Sequence, residues 1–73
     1  MHSGELIRAA RQAKGLSAEQ LAVAIDRGSM TVYRWEWGVT SPRIADLTRI
    51  AVVLGVSAES LYGASDTSPP SAA

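Results

Sequence analysis

Four glycines, Gly15, Gly28, Gly38 and Gly55, punctuate the chain at intervals that leave room for short helices and little else. Between them apolar residues recur at helical spacing. From Ser3 to Lys14 the inward set is Leu6, Ile7, Ala10 and Ala13, with Ser3 as N-cap and Glu5 in the first turn, where its charge complements the helix dipole. Gly15 stops that helix, and Leu16 plugs the core from the turn. Ser17 followed by Gln20 forms a capping box that opens a second helix with Leu21, Ala22 and Ile25 inward, and D-R-G-S at 26–29 breaks it. The third segment runs from Gly28 to Gly38. After V-T-S-P, Pro42 suits the first turn of a fourth helix, whose stripe of Ile44, Leu47, Ile50, Ala51 and Leu54 is the clearest in the chain. Gly55 closes it, Val56 packs beside Leu54, and Ser57 caps a fifth helix reaching Tyr62 with Leu61 inward.

With 73 residues there is material for one domain, and with no cysteine that domain has no disulfide or thiolate metal site to supplement its core. The apolar residues lack phenylalanine and include only two Trp and two Tyr, so the core is aliphatic, which suits helices better than a sheet. These features predict an all-α, compact five-helix bundle over residues 1–63. The segment 64–73, rich in Ser, Pro and Ala, reads as a disordered tail. No internal repeat is present.

The third helix, G-S-M-T-V-Y-R-W-E-W-G, has two unlike sides. At about 100° per residue Val32 and Trp35 share one, and Ser29, Met30, Tyr33, Arg34 and Trp37 share the other. A merely solvated face would carry Glu, Lys and Gln; this one is furnished for contact. A turn of about four residues separates it from the second helix. That is a helix-turn-helix arrangement, whose second helix enters a DNA major groove with its N-terminal half against base edges.

Seven basic and seven acidic residues give zero net charge, so bulk charge does not hold this chain to nucleic acid. All seven basic residues precede position 50, alongside five acidic ones, a slight local excess. There is no apolar run long enough for a bilayer, and M-H-S-G-E-L lacks the character of a signal peptide, so a cytoplasmic, non-membrane protein is expected. His2, the only histidine, stands at a terminus without a second ligand or an oriented partner. No metal, no cofactor, no small-molecule ligand and no enzymatic activity are expected.

The runs L-I-R-A-A-R-Q-A-K-G-L-S-A-E-Q-L-A-V-A-I, V-Y-R-W-E-W-G-V-T-S-P and L-T-R-I-A-V-V-L-G-V-S-A-E-S-L together resemble the phage repressor and Cro family of helix-turn-helix domains, also called the xenobiotic-response-element (XRE) type. The resemblance spans about residues 4 to 62. It implies a lambda-repressor-like helix-turn-helix fold and a DNA-binding transcriptional regulator, with repression by occlusion as the simplest mechanism. It implies base contacts from Ser29, Met30, Tyr33 and Arg34, and backbone contacts from Ser17, Thr31, Trp37 and Arg43. Arg11 and Glu36 match a structural ion pair between the first and third helices, with phosphate contact a second role for Arg11. Met30 alternatively packs on Tyr33, and Trp37 alternatively leans on Val39 or meets a protein partner.

Three departures from the family pattern reduce the expected phosphate grip. Ala18 replaces the usual Gln that opens the second helix, Asp26-Arg27-Gly28 replaces the usual turn, and Val39-Thr40 replaces basic residues. The partner expected is double-stranded DNA bound as a homodimer, since one helix reads only a few base pairs. Val39, Val56, Leu61 and Tyr62 are the candidates for the dimer interface. The rival reading is a protein-interaction module that uses the same fold without DNA, presenting Met30, Tyr33 and Trp37 to a partner.

Overall fold

The computed structural model describes residues 2–62. Within them the chain forms four α-helices, α1 (Ser3–Lys14), α2 (Ala18–Ala24), α3 (Ser29–Trp37) and α4 (Ile44–Leu54), followed by one 3₁₀ turn (Ala58–Leu61), with no strand. The fifth helix expected from Ser57 onward is therefore only this turn. Ser57 does cap it, accepting from the Ser60 backbone N–H, but four residues supply too few i to i+4 bonds for an α-helix. The segment 64–73, expected to be disordered, lies outside the described residues.

The punctuation follows the glycines. Gly15, Gly38 and Gly55 each end a helix in the left-handed conformation. Gly28 instead begins α3 as an N-cap with no side-chain bond to give. Between α2 and α3 the chain turns through Asp26, the one non-glycine residue with positive φ among those described, at 60°. Aspartate tolerates this region better than most residues, which lets a four-residue turn, Ile25 to Gly28, reverse the chain without a central glycine.

Two helix starts differ from the sequence reading. His2, not Ser3, caps α1: its Nδ1 accepts from the Glu5 backbone N–H at 3.3 Å, while the Glu5 carboxylate accepts from the His2 backbone N–H at 3.1 Å. Ser3 is instead buried in the first turn. Pro42 stands before the Arg43 N-cap and so outside α4. Proline restrains the approach to that helix without occupying its first turn.

The core gathers Ile7 from α1, Ala18, Leu21, Ala22 and Ile25 from α2 and its end, Val32 and Trp35 from α3, Leu47, Ile50, Ala51 and Leu54 from α4, and Leu61. Ala13 is exposed, and the inward side of α1 is Leu6, Ile7 and Ala10. Ile44 is also outside the core at 51% exposed, although it shares the angular position of Ala51. Periodicity fixes the angle around a helix and not the height along it; Ile44 sits at the first turn, two turns from Ala51. Asp46 is buried in the same turn.

Candidate nucleic-acid interface

α3 packs against both α1 and α2, which cover its inner side and leave the opposite side open. Val32, Trp35 and Glu36 are buried; Met30, Arg34 and Trp37 are exposed; Ser29, Thr31 and Tyr33 are half-buried. Two tryptophans two residues apart thus have opposite fates, Trp35 at 5% and Trp37 at 62% exposure.

Three contacts fix the position of α3. At Gly4 the backbones of α1 and α3 meet so closely that a Cβ there would overlap the carbonyl oxygen of Trp35. Two turns farther along α1, Arg11 donates to Glu36 through Nε at 2.7 Å and Nη2 at 2.9 Å, and Nη1 donates to the Leu16 carbonyl at 2.9 Å. This two-pronged geometry binds α1, the turn after it and α3 into one unit. The Glu36 carboxylate holds the Arg11 guanidinium above even the usual arginine range. At the other end of the motif, Arg27 donates through Nε and Nη2 to Oδ1 of the buried Asp46, at 3.1 and 2.9 Å, tying the turn before α3 to α4.

The outer side has an order of its own. The Tyr33 and Trp37 rings, one turn apart, stack at 5.6 Å between centroids with 24° between planes. Trp37 therefore lies against Tyr33. The Tyr33 hydroxyl donates to Oε2 of Glu19 in the first turn of α2 at 2.7 Å. That bond raises the Tyr33 hydroxyl above the ordinary tyrosine range and lowers the Glu19 carboxyl below the usual glutamate range.

Among the other residues singled out from the sequence, Arg43 is exposed at the N-cap of α4. Ser17 caps α2, its Oγ accepting from the Gln20 N–H at 3.0 Å. Arg34 and Arg43 make no ion pair among the described residues, whereas Arg11 and Arg27 are engaged. Of the interface candidates, Val39 and Val56 are exposed and Tyr62 is half-buried, but Leu61 is 1% exposed and belongs to the core, so it offers no surface to a second copy.

Sequence reasoning misses Glu19 as the partner of Tyr33, Asp46 as the partner of Arg27 and His2 as a cap. The first two pairs depend on how helices cross, which linear spacing does not reveal. It also misses the apolar surface of Val23 and Val52, which lie off the core stripes of their helices; Val52 borders an open concavity of about 500 Å³ with Ala24, Ile25, Asp26, Thr48, Arg49 and Val53. Among the described residues no helix is long and apolar enough to cross a membrane.

The geometry of α2, the turn and α3 agrees with comparison to known families. A family model described as a helix-turn-helix domain, of the XRE and Cro-like type, matches residues 3–66. No curated protein matches the chain, and no solved structure does.

Proposed function

The chain belongs to the XRE and Cro-like helix-turn-helix family, and from that membership we propose that it is a sequence-specific double-stranded DNA-binding regulator, acting in the cytoplasm as a repressor that occludes its site. The observation that supports this most is the composition of the outer side of α3. It carries an exposed arginine with no ion pair among the described residues, a stacked Tyr-Trp pair and an exposed methionine, on a helix clamped from behind at Gly4 and Glu36. A helix that enters a groove roughly 12 Å wide must present its side chains from a fixed backbone.

In this reading Ser29, Met30, Tyr33 and Arg34 meet base edges, with Arg34 placed to bond a guanine bidentately. Ser17, Thr31, Trp37 and Arg43 meet the sugar-phosphate backbone. The protein acts as a homodimer on two half-sites about one helical turn apart. The surface between copies draws on Val39, Val56 and Tyr62.

Selection of bound sites from a random DNA pool, followed by mobility-shift titration at two salt concentrations, tests this. A palindromic site is expected. Arg34→Ala should relax the preference at one base pair by about 1–3 kcal/mol, while Arg43→Ala should weaken all sequences alike and reduce the salt slope by about 1. A pool that yields no binder overturns the reading and favours the protein-interaction alternative.

A further inference from the structure

A tyrosine hydroxyl has one proton to give and lone pairs with which to accept. In Tyr33 that proton is committed: the hydroxyl donates to Oε2 of Glu19 at 2.7 Å, and an ionised carboxylate can only accept, so the direction of the bond is fixed. Rotation of the ring away from Glu19 is opposed by its stack against Trp37. What Tyr33 has left to offer a ligand is acceptor capacity.

We propose that Glu19 is a positioning residue that sets the hydrogen-bond polarity of the α3 surface, turning Tyr33 into an obligate acceptor that selects a base with an exposed amino donor. The proposal rests on the DNA-binding reading and deepens it. In the major groove the donors are the N4 amino group of cytosine and the N6 amino group of adenine, whereas guanine presents only N7 and O6 and thymine only O4 and its methyl group. At the base within its reach, Tyr33 therefore favours C or A over G or T. Arg34, which only donates, makes the opposite choice next to it. Adjacent residues of opposite polarity give α3 a two-letter preference, a donor-bearing base beside a guanine. Glu19 itself touches no base in this scheme.

The substitution Glu19→Lys reverses the polarity. An ammonium group donates to the Tyr33 oxygen and frees the hydroxyl proton to point outward, so the preference at that one position should turn against C, which has no acceptor in the groove, and admit G and T, while A, with both an N7 acceptor and an N6 donor, is tolerated in either state. Tyr33→Phe should abolish the preference at the same position. Glu19 is exposed and outside the core, and Tyr33→Phe keeps the half-buried ring and removes only its hydroxyl, so both variants are expected to keep the wild-type circular dichroism spectrum.

The experiment is selection from one random DNA pool by wild type, Glu19→Lys, Glu19→Gln and Tyr33→Phe. Wild type should favour C over G or T roughly tenfold at the Tyr33 position, Glu19→Lys should invert that ratio, and Tyr33→Phe should bring it to about one. Glu19→Lys should also bind all sequences more tightly by its added positive charge, an effect separable from the choice of base. If all four proteins select the same base there, the polarity proposal is overturned and the DNA-binding reading stands; if none selects any DNA, both fall.

A measurement without DNA tests the same bond independently. In a Tyr62→Phe background the ultraviolet titration reports Tyr33 alone, and Glu19→Gln should lower its midpoint. An unchanged midpoint would show that the hydroxyl does not depend on Glu19, and would overturn the proposal whatever the selection returned.

Discussion

Arg11 and Glu36, twenty-five residues apart, meet in a fork of two hydrogen bonds that joins the first helix to the C-terminal half of α3. The Glu36 side chain is 4% exposed and that of Arg11 12%. Removing one partner leaves the other charge in a poorly hydrated site. Arg11→Ala or Glu36→Ala should therefore destabilise the domain by about 3 kcal/mol, a large share of what a chain of this size has. The double replacement Arg11→Met with Glu36→Leu should recover most of that loss, since it buries no charge. Thermal denaturation of the two single variants and the double variant is the check.

Gly4 tests the clamp from the backbone side. By helix propensity alone Gly4→Ala should stabilise α1 by about 1 kcal/mol. The overlap of its Cβ with the Trp35 carbonyl predicts the opposite sign, a loss of at least about 2 kcal/mol, because two backbones must separate to admit the methyl group. Urea denaturation decides between the two.

His2 caps α1 and also lies beneath Gly38, where a Cβ would come within 3.1 Å of its Nε2. His2→Ala should cost about 1 kcal/mol by freeing the Glu5 N–H, and His2→Asp, which restores an acceptor and adds negative charge at the positive end of the helix, should not. Equilibrium unfolding of the two variants against wild type measures this.

The bond between Glu19 and Tyr33 carries a pH dependence with two edges. Glu19 is shifted down by the Tyr33 hydrogen bond, so its stabilising contribution is present above the ordinary glutamate value of about 4.3 and lost as pH falls through the lowered folded-state value. Tyr33 is shifted up, so its contribution is present below about 10 and lost as pH rises through the raised value. The thermal midpoint difference between wild type and Tyr33→Phe should hold steady through the neutral range and shrink at both extremes.

Much of the frame is legible in the sequence because it is written in local chemistry. Gly15, Gly38 and Gly55 stop helices wherever they stand after an apolar-periodic run, and Ser17 with Gln20 announces a helix start at any position. The two sides of α3 follow from angle alone. Height along a helix is not local, which is why Ile44 has the right angle and the wrong environment, and why the burial of Asp46 does not show in the spacing. Caps by uncommon residues also escape: Ser3 has the better cap chemistry, yet Gly4 must sit against Trp35, and the helix that brings it there starts one residue earlier, at His2. Leu61 reads in the linear sequence both as an inward residue and, beside Tyr62, as an interface candidate; the 3₁₀ turn carries it into the core, so only the first reading holds. At the candidate interface the outward residue types are readable, but the partners that orient them are not, since Glu19 reaches Tyr33 only through the crossing of α2 and α3.

The placement of Trp35 and Trp37 on opposite sides of one helix gives the molecule two internal optical probes with separate duties. Indole emission shifts to the blue in apolar surroundings and to the red in water, so Trp35 and Trp37 contribute distinguishable bands. Denaturation should move chiefly the Trp35 band, whereas anything that settles on the outer side of α3 should quench or shift Trp37 first. A single fluorescence titration of the unlabelled protein can then separate occupancy from unfolding.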